Sequence, residues 1–109
     1  MSEKLVRIGP IAGTGSAAVL QAALGHGQSA LLYVVHVANT TTTNQTFKFS
    51  IGADAAGTRL FGDSLVEANG GVVLVEWGRG IPITDADTIE WTAATTLTVT
   101  ITLGLVMTA

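Results

Sequence analysis

The sequence predicts an all-β fold, a single-domain antiparallel β-sandwich of about eight short strands. Three observations predict it. The 109-residue chain holds sixteen threonines against five lysines and arginines, a β-branched composition that suits pleated strands. Runs of strict apolar/polar alternation recur, each giving a strand one buried and one wet face. Turn signals built on Gly, Asn and Asp separate these runs roughly every 8 to 12 residues, the spacing of sandwiches and barrels.

Composition bounds the rest. A chain of this length supports one core, and surface scaling gives roughly 5,600 Å² exposed after about 65% of the unfolded surface is removed. The chain is 48% hydrophobic and 12% charged with net charge −3. That is half the usual ~25% of charged residues, which excludes charge-driven disorder and the polybasic surface of non-specific nucleic-acid binding. With no cysteine, there is no disulfide framework, thiolate metal site or cysteine nucleophile. Met1 to Arg7 carries charges and no apolar run of signal-peptide length, so export by that route is not expected. The longest apolar stretch, Ala30 to Ala38, is about half of a membrane helix, and no membrane partner is expected.

The first fifteen residues, with Gly9, Pro10, Gly13 and Gly15, read as a flexible arm (1–15) joined to a sandwich domain (16–109). Ala17 to Leu24 is a short strand candidate. A competing parse takes Val6 to Gly9 and Gly13 to Ala18 as a dinucleotide fingerprint running into a helix. It lacks the acidic residue that would hold the ribose, since Asn39 occupies that region, and no alternating strand–helix pattern follows. Ala30 to Ala38 and Val72 to Trp77 are nearly continuous apolar runs, read as strands covered on both faces, by a neighbouring subunit or by the arm. Thr46 to Ile51 alternates with Phe47, Phe49 and Ile51 inward. Arg59 to Phe61 and Ile81 to Ile83 are short candidates, with a turn expected at Gly78-Arg79-Gly80. Asp87 to Thr92 places Ile89 and Trp91 on one side. Thr96 to Leu103 alternates without fault, Leu97, Val99, Ile101 and Leu103 opposite four threonines.

Chemistry-bearing residues are few. His26 and His36 are the only imidazoles and would need carboxylates to complete a zinc site; His36 reads as a hydrogen-bonded strand histidine and His26 as a turn residue. No serine lies in a nucleophile elbow. Asp85 and Asp87 form a D-x-D pair of calcium-ligand type, but Thr84 to Asp87 is also turn-capping chemistry, which is favoured. A glycosidase pair among Asp54, Asp63, Glu67, Asp85, Asp87, Glu76 and Glu90 depends on a separation that sequence does not give. Asn39-Thr40-Thr41 and Asn44-Gln45-Thr46 fit the glycosylation pattern, read as accidents of a Thr-rich loop without a secretory signal. Trp77, Trp91 and Tyr33 are the aromatic set of a carbohydrate-binding module, but Trp91 is in phase with core Ile89 and Trp77 with Val73 and Val75.

From Ala17 to Met107 the order of elements resembles small virion proteins of tailed bacteriophages, built as jelly-roll-like β-sandwiches. The resemblance lies in four stretches: the apolar strand entering an Asn-Thr loop, Leu31 to Thr43; the aromatic alternating strand Phe47 to Ile51; Arg59-Leu60-Phe61 leading to a strand ending Glu76-Trp77; and Gly80 to Ile89, closed by Leu97 to Leu103. These are fold-level patterns without a chemical signature. They imply a non-enzymatic capsid decoration (cement) protein, a homotrimer that binds the assembled head lattice. Its partners are then the major capsid protein or other virion proteins, and its location the virion, assembled in the host cytoplasm. A neck or tail adaptor, a fibre-associated domain and, from another class, a carbohydrate-binding module are the alternatives. No cofactor, metal or nucleic acid is expected. The candidate interface is Leu31, Tyr33, Val35 and Val37 on the apolar strand, with Ile8, Pro10 and Ile11 in the arm.

Overall fold

A computed structural model describes residues 2–22, 24, 26–53 and 55–107. Eight strands follow one another: β1 (Ser2–Ala12), β2 (Ala17–Gln21), β3 (Ser29–Asn39), β4 (Gln45–Ile51), β5 (Arg59–Val66), β6 (Val72–Ile83), β7 (Ile89–Ala93) and β8 (Leu97–Met107), with one short 3₁₀ turn at Ala56–Thr58. They form two antiparallel four-stranded sheets, sheet A in the order β1-β8-β3-β6 and sheet B in the order β2-β7-β4-β5. Except for the β4–β5 hairpin, each connection crosses from one sheet to the other. This is the jelly-roll arrangement of two Greek keys. The accessible surface is 5831 Å², close to the value expected from length.

Alternation builds the core. Leu97, Val99, Ile101 and Leu103 of β8 are at most 1% exposed, and they meet Phe47 and Phe49 of β4 and Ile89 and Trp91 of β7 from the other sheet. An aromatic chain then runs across the sandwich: Trp91 to Phe47 (6.5 Å between centroids), Phe47 to Phe61 (5.7 Å) and Phe61 to Trp77 (6.2 Å). Tilted aromatic pairs at these separations are favourable beyond their buried area. The last link joins β5 to β6, so the outermost strands of the two sheets are held together on that side. On the opposite side β1 lies beside β2.

Three expectations are corrected. Residues 2–12 are not an arm but the edge strand of sheet A, paired with β8 on both sides of a register shift between Ile8 and Ile11. Gly9 and Pro10 fall inside that bulge, which absorbs an irregular pair without ending the ladder, and Gly9 is at φ 107 with a would-be Cβ blocked by the Val99 carbonyl. Gly78-Arg79-Gly80 is not a turn. It is a bulge within one long β6: Leu32 pairs with Ile81 and Val34 already with Glu76, so extra residues are looped out, and Gly80 (φ 75) provides the turn of backbone. Residues 17–21 form a strand where the dinucleotide parse required a helix.

The third correction concerns the faces of β3. Against both neighbours its register shifts between Leu32 and Val34. One extra residue, Tyr33, reverses the inward parity. Ala30 and Leu32 point inward before it, Val35 and Val37 after it, each of the last two 0% exposed.

Candidate interaction surface

The outer face of sheet A is assembled in cross-strand rows, because directly paired residues share a face. One row reads Val72, Ala38, Thr98, Ala12; a second begins Leu74, His36, Thr100; a third reads Glu76, Val34, Thr102, Arg7; a fourth reads Pro82, Leu31, Gly104, Leu5. The face is thus apolar towards β6 and hydroxyl-bearing along β8. Val72 and Leu74 are 52% and 54% exposed. The two faces expected to be covered are covered only inward; outside, no described part of the chain lies over β3 or β6.

Tyr33 lies on this face between β6 and β8. A Cβ at Gly80 would come within 3.1 Å of its Cε1, and a Cβ at Gly104 within 2.7 Å of its Cε2 and into the Glu3 carboxylate. Two glycines therefore flank one flat ring, and only glycine leaves it that room. The phenol is hydrogen-bonded to Glu3, which holds its pKa above the ordinary value; desolvation and the charge of Glu3 push the same way.

The large apolar side chains exposed among the described residues follow a rule: all belong to edge strands. Leu5 (68%) and Ile11 lie on β1 and Val19 (56%) on β2; Leu60 and Leu65 lie on β5, Val72 and Leu74 on β6. The central strands β8, β3, β7 and β4 show none. The sandwich thus has two sides, each bordered by one edge strand from each sheet, along which the outer sheet faces carry exposed apolar side chains.

The expected interface residues divide accordingly. Leu31 and Tyr33 lie on the outer face; Pro10 is exposed and Ile11 is 36% exposed on the β1 edge. Ile8 packs against the core opposite Ile101, and Val35 and Val37 are wholly interior, so these three have little or no surface to offer.

The remaining candidates are spread over two ends of the molecule. At one end Asp85 Oδ2 accepts from Gly27 N (2.9 Å) and lies 3.8 Å from His26 Nδ1, while Asp87 Oδ2 accepts from Thr84 N (3.0 Å) and Thr84 Oγ1 (2.9 Å). Each aspartate thus uses Oδ2 to hold a turn. No group of three or more His, Cys, Asp or Glu capable of holding a metal occurs among the described residues. Asp63 pairs with Lys48 at 3.3 Å on the outer face of sheet B, beside a shallow depression lined by Gly15, Thr46, Thr92 and Ala94; Glu90 accepts from Thr88 at 2.8 Å. Asp54 lies outside the described residues. His36 is on the outer face of sheet A, far from the turn that carries His26.

At the other end Asn39, 1% exposed, satisfies its whole amide. Nδ2 donates to the carbonyls of Thr43 (2.8 Å) and Val66 (3.1 Å), and Oδ1 accepts from the backbone N (2.9 Å) and Oγ1 (2.8 Å) of Thr41. This fixes the Thr-rich loop to β5 and leaves the side chain closed to glycosylation. Trp91 is 1% exposed and Trp77 turns towards the core, whereas Tyr33 is outside, so the three aromatics form no common platform.

No protein-family model, curated protein or solved structure matches the chain. No described helix is long and apolar enough to cross a membrane. Sequence reasoning missed the Glu3–Tyr33 bond and the row joining Arg7 to Glu76; both depend on the pairing of distant strands, which no local pattern carries. The buried role of Asn39 had one usable signal, an Asn closing an apolar strand before a run of threonines.

Proposed function

We propose that the chain is a non-enzymatic structural protein of a tailed bacteriophage particle, a capsid decoration protein that associates with itself and binds the assembled head lattice. The observation that carries this reading is the pairing of jelly-roll strand order with exposed apolar side chains kept to the edge strands, on the outer faces of both sheets. Jelly rolls serve in viral capsids and also in lectins, and the fold alone decides nothing between them. The lectin alternative is disfavoured because Trp77 and Trp91 face inward. A surface with exposed apolar edges and few charges suits burial against sister copies and lattice. Binding only the assembled shell stabilises it by mass action, and closed symmetry shields open edges. A trimer matches the threefold positions of a shell.

A neck or tail adaptor is the second reading, favoured by the two opposed flanks, which suit a ring. Quantitative mass spectrometry of purified particles that encode the chain separates them: on the order of hundreds of copies supports decoration, about a dozen or fewer supports the ring. Absence from the particles overturns both.

A further inference from the structure

We propose that copies of the chain join flank to flank and head to tail, the β1–β2 side of one molecule against the β5–β6 side of the next, with Arg7 of one facing Glu76 of the other. The inference rests on the reading above and deepens it by naming the contact between copies.

Three observations fix the occupant as a second copy. The exposed large apolar side chains among the described residues all belong to the four edge strands that border these two sides, and most of them, Leu5, Val72 and Leu74 on sheet A and Val19 and Leu65 on sheet B, stand on the outer sheet faces next to the edge. The molecule is 48 Å long between its outermost Cα atoms, so a contact running along one side has the length to reach the ~800 Å² per partner of a stable interface. The third observation is polarity and charge. β1 is antiparallel to β8, β8 to β3 and β3 to β6, so the two edges of sheet A run in opposite directions. A neighbour displaced sideways continues the antiparallel order, and the row Glu76, Val34, Thr102, Arg7 runs on into it. Glu76 then meets Arg7 of the next copy. Opposite charges directly across strands attract. Both side chains are exposed, and neither forms an ion pair among the described residues, whereas Glu3 is engaged by Tyr33 and Asp63 by Lys48.

The two prolines define the kind of contact. Pro10 lies on one edge of sheet A and Pro82 on the other. Each lacks an N–H, and proline on edges guards against open-ended sheet growth. Side chains rather than a continuous backbone ladder therefore make the joint, and a rotation between successive copies closes it into a ring instead of a fibre.

Sedimentation equilibrium on four forms of the 109-residue chain tests this: wild type, Arg7→Glu, Glu76→Arg and the double reversal. Each single reversal sets like charges together and is expected to weaken association by at least about tenfold. The double reversal is expected to recover wild-type association to within about threefold. Circular dichroism should be unchanged throughout, since both positions are exposed. A wild-type oligomer indifferent to either reversal, a double reversal no better than the singles, or a wild type that stays monomeric overturns the proposed contact. Failure here leaves the particle-protein reading to be judged by copy number; absence from particles with intact charge complementation sinks that reading and leaves the contact standing.

Discussion

Asn39 and Val66 are joined by a hydrogen bond from the Asn39 amide to the Val66 carbonyl, 3.1 Å long and closed to solvent. It ties the end of β3 in sheet A to the end of β5 in sheet B, and three further bonds from the same amide shape residues 41–43 around it. One side chain thus holds the two sheets together at the end where the Thr-rich loop leaves the sandwich.

Asn39→Ala is expected to destabilise the fold by about 2–4 kcal/mol, since it orphans buried backbone groups rather than merely removing a contact. Urea unfolding checks it: the midpoint should fall with the slope unchanged. Asn39→Asp keeps both acceptors but loses the two donors, and it too should destabilise.

Core and surface apolar residues should separate cleanly. Ile101→Ala, at a site 1% exposed, is expected to cost about 2–5 kcal/mol by transfer and cavity terms. Leu74→Ala, at a site 54% exposed, should leave the stability of one chain within about 0.5 kcal/mol. Its effect should appear in association instead, read by thermal unfolding at several protein concentrations.

Tyr33 should titrate above the ordinary tyrosine value because its phenol is bonded to Glu3. Ultraviolet absorbance of the phenolate reads this directly, and Glu3→Gln should lower the midpoint. The linked stability follows from the sign of the shift. The native state holds the proton more tightly than the unfolded state, so the contribution is fully present below pH ~10 and is lost as pH rises through the folded value.

Gly104→Ala should act on the same pair. Its new Cβ collides with the Glu3 carboxylate and crowds the Tyr33 ring, so Tyr33 should titrate nearer its ordinary value. The nearest atoms end the flexible side chain of exposed Glu3, which can swing away, so stability should fall by about 1 kcal/mol or less. A phenolate midpoint as high as in the wild type would show that ring and carboxylate stay together around the added methyl, contrary to this expectation.

The legible parts of the sequence were those where local pattern and tertiary position agree. β8 alternates along its inner residues with nothing to disturb it, and Leu97, Val99, Ile101 and Leu103 are interior as their period requires. β3 is a nearly continuous apolar run with no such alternation, and the extra residue at Tyr33 inverts its phase at a point no composition marks. Val35 and Val37, expected at the interface, therefore face the core. Gly9 and Pro10 read as breakers because their local chemistry is that of a turn; pairing on both sides with β8 overrides it. The same holds for Gly78 to Gly80. The candidate surface was legible as an excess of apolar strand residues. Its division into two flanks was not, because edge position is a property of strand order.

If sister molecules cover the exposed apolar edge strands of this jelly roll, the wild-type chain must associate. Sedimentation equilibrium of the wild-type chain over a broad concentration range measures it most directly. The expected result is association to a closed oligomer, three times the 11.1 kDa of one chain for a trimer. A single species of 11.1 kDa at every concentration would contradict it.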